Sequence, residues 1–197
     1  MPRNPAPTRA RIMAAAYAVF FRKGFQRASL DDIAAKAGVT KRTLYYHIRS
    51  KDELAGAMLV HQHDFVLGQV TRWLGPVTAR GVRGAQAAVD GLFAALATWA
   101  GNERAARRHY TGSGFTRIAM ELADLPGHPA RVATRRHKKA VEDALAERFA
   151  TCGITSARER AAQVQMLLEG SMTLILIHGD LRYARLAAAA ARRAVAG

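Results

Sequence analysis

Apolar residues recur every three or four positions along most of the chain, which is the spacing of amphipathic α-helices. In the first segment Ile12, Ala16 and Phe20 follow this spacing. Thr8 is the expected N-cap of that helix, and Gly24 is its expected end. The N-terminal part has no alternation of apolar and polar residues of the kind that strands show, so the pattern predicts an all-α fold.

Two short helices are predicted directly after the first. Ser29 and Asp32 have the spacing of a capping box, and Gly38 ends the helix that they begin after about two turns. Thr40 is the expected N-cap of the next helix, with the apolar Leu44 four residues later. Because only "GVT" separates the two helices, they must cross at a steep angle. This arrangement is a helix-turn-helix.

The outward face of this third helix follows from its helical spacing. At about 100° per residue, Leu44 and Ile48 point inward, whereas Arg42, Tyr46 and Arg49 point outward. Guanidinium groups attract phosphates, phenol hydroxyls donate to phosphate oxygens, and aromatic edges contact thymine methyls. Each residue alone favours an ordinary core position or a solvated turn. The combined pattern favours a surface for the DNA major groove.

Charge limits the classes of partner. The 197 residues contain 30 Lys and Arg against 15 Asp and Glu, a formal net charge of +15. Residues 1–53 contribute +7 of this, so the N-terminal end is the one that would face a polyanion. Nucleic acid and an anionic membrane surface both fit. The single cysteine excludes a disulfide within the chain, and the apolar run at 172–177 is too short to span a membrane, so we expect a cytoplasmic protein.

The remainder of the sequence is also helical in pattern. A fourth helix begins at a second capping box, Ser50 with Glu53, and is expected to reach about Trp73. The segment 75–81 then breaks the chain, and short helices are expected around the "GSGF" motif. Longer predicted helices cover residues 82–100, 130–151, 156–178 and 181–196. The helix at 156–178 has more apolar surface than one stripe, so we expect a second subunit to cover part of it, although burial within its own domain is the alternative.

Catalytic chemistry is not indicated by any motif. His61 and His63 are two positions apart and diverge on a helix, so they are not a metal pair. Asp31 and Asp32 lie in the first turn of a helix, where acids interact favourably with its dipole. The basic run 135–139 is expected to be a solvated face, with an anion or acidic-ligand site as the minority alternative. The sequence therefore predicts no enzyme activity, no catalytic residue, no metal and no cofactor.

The stretch "FFRKGFQRASLDDIAAKAGVTKRTLYYHIRSKDEL", residues 20–54, resembles the N-terminal domain of the tetracycline-repressor (TetR) family of bacterial transcription regulators. The resemblance implies a three-helix DNA-binding domain at residues 1–53. It also implies an all-helical domain at 54–197 that binds an effector and forms a homodimer through the last two long helices. A near-palindromic double-stranded DNA operator and a small organic effector are the implied partners, with the protein located on the nucleoid when bound.

Carried over by position, the resemblance implies a set of DNA contacts. Asp31 receives none, because an acid would repel phosphate. Ser29 would present a helix N-terminus to the DNA backbone, and His47 and Lys51 would hold phosphates. The complete predicted set is Ser29, Thr40, Lys41, Arg42, Thr43, Tyr45, Tyr46, His47 and Lys51.

Two further sets of residues are predicted in the C-terminal domain. An apolar effector site needs aromatic and flexible side chains, and the candidates are Phe65, Phe93, Trp99, Tyr110, Phe115, Met120 and Met166. Ordinary core packing explains each of these at least as well. The dimer seam is predicted at Val164, Leu168, Met172 and Ile175.

Three functions remain open from the sequence. The main hypothesis is a homodimeric, sequence-specific DNA-binding transcriptional repressor that a small-molecule effector releases from its operator. The alternative is a DNA-binding regulator of the same fold that does not respond to a ligand. A third hypothesis, from another class, is a cationic protein that acts at membrane surfaces.

Overall fold

A computed structural model describes residues 5–105 and 110–197 of the chain. All regular elements in these two ranges are α-helices, which confirms the predicted all-α fold. The helices are α1 (Pro5–Lys23), α2 (Leu30–Ala37), α3 (Lys41–His47), α4 (Lys51–Trp73), α5 (Gly81–Ala105), α6 (Gly114–Glu121), α7 (Pro129–Thr151), α8 (Ala157–His178) and α9 (Arg182–Ala194).

The helices form two compact units, and neither unit is continuous in sequence. The first unit contains the chain up to Asp64 together with Gly114–His137, so it combines α1 to α3, the first part of α4, α6 and the start of α7. The second unit contains Phe65–Ser113 and Lys138–Gly197. The functional boundary after residue 53 stays a prediction, because packing units and functional domains are different divisions.

The first helix begins earlier than its sequence pattern predicts. It starts at Pro5, so Thr8 lies inside the helix and its prediction as the N-cap is wrong. Proline is tolerated in the first helical turn, where its missing N–H has no intrahelical partner. The predicted end is confirmed, because Gly24 adopts a left-handed backbone with φ 83°. Its N–H donates to Phe20 O at 2.9 Å.

The core of the first unit fixes the helix-turn-helix. Phe20, Ile33 and Leu44, from α1, α2 and α3, are fully buried. Phe25 folds back after α1, and its ring lies 5.6 Å from that of Phe20. Burial of this apolar surface is the main favourable term that holds the three short helices together.

The second unit has its core between α5, α8 and α9. Leu92, Leu96 and Val164 are fully buried there. The inner face of α9 consists mainly of alanines, including Ala187 and Ala191. Such small side chains let helix backbones approach each other closely. The alanine-rich end of the chain therefore has a packing role.

Across the described ranges, no helix is both long enough and apolar enough to cross a lipid bilayer.

Candidate DNA-binding site

The start of α2 is held by a reciprocal capping box, as predicted. Ser29 Oγ accepts a hydrogen bond from the Asp32 N–H at 3.1 Å, and Asp32 Oδ2 accepts one from the Ser29 N–H at 3.1 Å. Lys23 pairs with the other carboxylate oxygen of Asp32 at 2.7 Å. The hydrogen bonds from Lys23 and Ser29 lower the pKa of Asp32 to about 2. Ser29 itself is exposed at this helix end.

The turn between α2 and α3 depends on Gly38. Its left-handed backbone (φ 62°, ψ 41°) lets its N–H donate to Ala35 O and lets the Val39 N–H donate to Ala34 O at 3.0 Å. These two bonds satisfy carbonyls that the end of the helix would otherwise leave unpaired. Arg11 of α1 donates to Gly38 O at 3.2 Å. The turn is thus attached to α1 as well as to α2.

The next helix begins at Thr40, whose Oγ1 accepts a hydrogen bond from the Thr43 N–H at 3.1 Å. Leu44 and Ile48 are buried, which confirms the predicted inward face. Tyr46 is 82% exposed on the opposite side. The geometry of α3 is therefore set by its own cap and by two apolar anchors.

All nine predicted DNA contacts lie in the first unit. Seven of them, within residues 40–47, occupy α3 and the cap before it. The side chains divide by exposure: Ser29, Thr40, Lys41, Arg42, Tyr45 and Tyr46 are exposed, and Thr43, His47 and Lys51 are partly exposed. The fold thus presents one basic and aromatic face. Whether each residue contacts DNA stays a prediction.

One acidic side chain modifies this face. Asp31 Oδ2 pairs with Lys41 Nζ at 2.7 Å across the turn. The hydrogen bond to Asp31, together with its negative charge, raises the pKa of Lys41. Asp31 is not among the predicted DNA contacts, and no local sequence pattern indicates its pairing with Lys41.

The start of α4 carries Lys51, a predicted phosphate contact. Lys51 Nζ donates to Gln26 O at 3.1 Å and lies 4.6 Å from the centre of the Phe25 ring. The predicted helix start is confirmed, because Ser50 Oγ accepts from the Glu53 N–H at 3.0 Å. Lys51 therefore also joins α4 to the segment between α1 and α2.

The segment between α1 and α2 is also bonded to α6, a relationship that sequence reasoning missed. Glu121 Oε2 accepts a hydrogen bond from the Gln26 N–H at 2.9 Å, and Gln26 Nε2 donates to Glu121 O at 3.3 Å. Arg117 donates to Phe21 O at 2.5 Å. No local signal exists for contacts between residues 95 or 96 positions apart.

The predicted effector residues are distributed over both units. In the second unit Phe93 is in the core, and the rings of Trp99 and Tyr110 lie 5.1 Å apart. Phe65 and Met166 of the same unit are exposed. In the first unit Phe115 is buried and Met120 is exposed. The structure thus brings Trp99 and Tyr110 together, and the pocket as a whole stays a prediction.

One histidine of α4 contacts a histidine that is distant in sequence. His63, which diverges from His61 on α4, meets His137 of α7 with 3.2 Å between their Nδ1 atoms. The ring of Phe115 stacks on His137 at 3.8 Å. This contact ties α4, α6 and α7 together within the first unit.

The predicted dimer seam occupies the inner face of α8. Its four residues Val164, Leu168, Met172 and Ile175 are all buried in the core of their own unit. The apolar residues Met166, Leu174 and Ile177 are exposed on its other side together with Gly170, and the exposed Leu176 lies on the flank of the helix. A second subunit would have to use this outer face, because the inner one already packs within the chain.

Known proteins resemble the chain in two ways. The family model described as bacterial regulatory proteins, tetR family, matches residues 12–58. The HTH-type transcriptional regulator TtgR of Pseudomonas putida is 44% identical over 57 residues, which are 29% of this chain and 27% of that protein. The HTH-type transcriptional activator FasR of Mycolicibacterium smegmatis is 38% identical over 85 residues, which are 43% and 38% of the two chains. The sequence match thus spans less than half of each relative's length.

The fold match covers nearly the whole chain. A TetR-family transcriptional regulator from Streptomyces coelicolor superposes with a TM-score of 0.78 at 24% identity, over 98% of this chain and 97% of the other. A TetR-family regulator from Cytophaga hutchinsonii gives a TM-score of 0.81 at 16% identity, over 98% and 95%. The N-terminal motif is thus similar in sequence to bacterial regulatory proteins of the tetR family, and the helical fold of the whole chain is that of solved TetR-family regulators.

Proposed function

We propose that the protein is a sequence-specific DNA-binding transcriptional regulator. The observation that carries this proposal is the exposed basic and aromatic face of α3, held on a helix-turn-helix whose two helix starts and whose glycine turn are all satisfied by hydrogen bonds. A helix presented in this way fits the major groove. The similarity of the N-terminal motif to tetR-family regulators supports the same conclusion.

Charge supports a nucleic-acid partner independently of the motif. The net charge of +15 attracts phosphates, and almost half of it lies in the first 53 residues. Neutralising phosphates releases counterions, so DNA binding should weaken steeply as salt increases. Binding and regulation of this kind involve no covalent chemistry, and we propose a non-enzymatic role.

A homodimer is the assembly that we propose. The exposed apolar stripe on α8 includes Met166, which is 68% exposed, and Ile177, which is 65% exposed. Such a contiguous apolar face is typical of a surface that a partner covers. Gly170 lies within the stripe with open space beside it, so two copies of α8 could approach closely there. A two-fold dimer would then bind a near-palindromic operator.

We propose that the protein represses transcription and that a small organic effector relieves this repression. Its support is the aromatic cluster around Trp99 and Tyr110, which is the type of surface that organic ligands contact. The relative FasR is called an activator, so regulation by DNA binding without release, or without a ligand, is the second candidate.

Selection of bound fragments from genomic DNA tests the proposal. We expect the wild-type protein to enrich one near-palindromic sequence, and Tyr46→Ala to bind with relaxed preference at the base pairs that it faces. Lys51→Ala should weaken binding to all sequences similarly and reduce the salt slope by about 1. A protein that enriches no sequence but binds anionic vesicles would instead support the membrane-surface hypothesis.

A further inference from the structure

A group of polar side chains lies in the second unit beside its aromatic residues. Lys138 of α7 donates to Glu169 of α8 at 2.5 Å and to Ser113 Oγ at 3.1 Å. The side chains of Lys138 and Glu169 are only 20% and 24% exposed. Gln165 of α8 donates from Nε2 to Lys138 O at 3.0 Å. None of these four residues belongs to the predicted set of effector contacts, although Lys138 lies in the basic run 135–139.

One atom of this polar cluster has no hydrogen-bond partner among the described residues. Gln165 Oε1 is buried and accepts no hydrogen bond from the described protein atoms. The amide cannot simply be turned over, because its Nε2 is the only end that can donate to the Lys138 carbonyl. A buried acceptor without a donor lowers stability relative to one that is paired. The side chain is therefore suited to accept a hydrogen bond from a bound molecule.

A second acceptor lies on the same face of α8. Glu169 follows Gln165 by four residues, and such pairs are neighbours on one side of a helix. Its carboxylate accepts from Lys138, and carboxylate oxygens have several acceptor positions. The ammonium of Lys138 balances the negative charge of Glu169. Beside this ion pair, Gln165 Oε1 is the neutral acceptor that the face offers.

Aromatic rings lie next to these polar side chains in the second unit. Tyr110 donates towards Met172 O at a long 3.5 Å. Burial, with a smaller effect from the charge of Glu169, raises the pKa of its phenol. The ring of Trp99 meets Tyr110 edge-on at 5.1 Å, and Trp73 lies 6.2 Å beyond Trp99. An apolar surface thus adjoins the acceptor face.

We propose that Gln165, beside the ion pair of Lys138 and Glu169, forms the polar end of the effector site, and that it recognises a neutral aromatic molecule carrying a hydrogen-bond donor, such as a phenol hydroxyl or an aromatic amine. The donor pairs with Gln165 Oε1, and the ring packs towards Trp99 and Tyr110. A cationic ligand is disfavoured because Lys138 already provides a positive charge at Glu169. This inference rests on the proposed effector response.

Matched small-molecule probes test the proposed chemical class of the effector. Isothermal titration would measure binding of 2-naphthol, 2-naphthylamine, 2-methoxynaphthalene, naphthalene and the cationic naphthylmethylammonium to the full chain. We expect the first two to bind at least about tenfold more tightly than the other three, because only they bring a neutral donor. Equal affinity across the series, tighter binding of the cation, or no binding of any probe would overturn the inference.

Variants of α8 test whether Gln165 is the acceptor for the ligand. Gln165→Leu should abolish the preference for 2-naphthol over naphthalene and leave naphthalene binding unchanged, which also reports that the variant is folded. Gln163→Leu is the matched control, because it makes the same substitution two positions away on α8. It should keep the preference for 2-naphthol over naphthalene. If Gln165→Leu kept the preference too, Gln165 would not be the acceptor.

Operator affinity without any probe, measured in parallel, separates the two proposals. Normal DNA binding with no probe preference would overturn the effector class only. Loss of sequence-specific DNA binding in the wild-type protein would overturn the proposed function itself.

Discussion

The backbone N–H of Gln26 donates a 2.9 Å hydrogen bond to the carboxylate of Glu121, and this bond joins the segment between α1 and α2 to the end of α6. The carbonyl of the same Gln26 accepts from Lys51 at the start of α4. Gln26 thus connects α6 with the segment before α2 and with the start of α4, which follows α3. Movement of α6 would act directly on the part of the unit that carries the candidate DNA-binding face.

Removal of this carboxylate should destabilise the first unit. Glu121→Ala deletes the acceptor for the Gln26 N–H, and we expect a loss of about 1 kcal/mol in the free energy of unfolding. In a chain of this size that loss corresponds to a fall of roughly 2–4 °C in the midpoint of thermal unfolding. Glu147→Ala, at an exposed position on α7, is the control and should change the midpoint much less. Equal midpoints for both variants would contradict the role of Glu121.

Gly24 should be coupled to the same carboxylate. A Cβ at this position would lie 2.8 Å from Glu121 Oε1, and the backbone φ of +83° is itself unfavourable for alanine. Gly24→Ala should therefore cost more than about 1–2 kcal/mol of backbone strain. The double variant Gly24→Ala with Glu121→Ala has no carboxylate for the new Cβ to clash with. Its loss in unfolding free energy should therefore be smaller than the sum of the two single losses. Strictly additive losses in chemical denaturation would show that the two positions are independent.

Asp31 should restrain DNA binding through its ion pair with Lys41. Asp31→Asn removes a negative charge from the candidate face and frees the Lys41 ammonium for phosphate. We expect severalfold tighter operator binding and a salt slope that is steeper by about 1 in a fluorescence titration. Asp64→Asn makes the same charge change at an exposed position of α4 and should have a smaller effect. Unchanged affinity in Asp31→Asn would mean that Lys41 does not contact the DNA backbone.

Asp32 should contribute to the acid sensitivity of the fold. Its pKa is about 2 in the folded chain against an ordinary value of 3.8, so the folded state favours the ionised carboxylate. This contribution is present above about pH 4 and is lost as the pH falls through about 2. The difference in unfolding free energy between wild type and Asp32→Asn should accordingly be constant near neutral pH and shrink below pH 4. Asp124→Asn, in an exposed loop, should show no comparable pH dependence.

The outer face of α8 should carry the dimer contact. Met166→Glu places a charge in the exposed apolar stripe, and we expect a folded monomer by light scattering and circular dichroism. Met120→Glu makes the same substitution at a similarly exposed methionine of α6 and should remain dimeric. Leu168→Glu should instead unfold the second unit, because Leu168 is 3% exposed and a buried charge without a partner is costly. A dimeric Met166→Glu chain would place the interface elsewhere.

The sequence by itself determined the helix-turn-helix, because its signals act over a few residues. Ser29 with Asp32, the glycine at 38 and the cap at Thr40 each make hydrogen bonds within five positions along the chain. Leu44 and Ile48 could be placed inward because the rest of α3 is polar or amphipathic, so only one face was available for the core. Local patterns of this kind define both the elements and their orientation.

Only the tertiary structure decided which face of α8 is internal. That helix has apolar residues on both sides, so its spacing is equally compatible with Leu168 or Met166 facing the core. Packing against α5 and α9 buries Leu168 and leaves Met166 exposed. Contacts such as Gln26 with Glu121 were inaccessible for a related reason: they join residues that are distant along the chain, and their distance is set by the packing of whole helices.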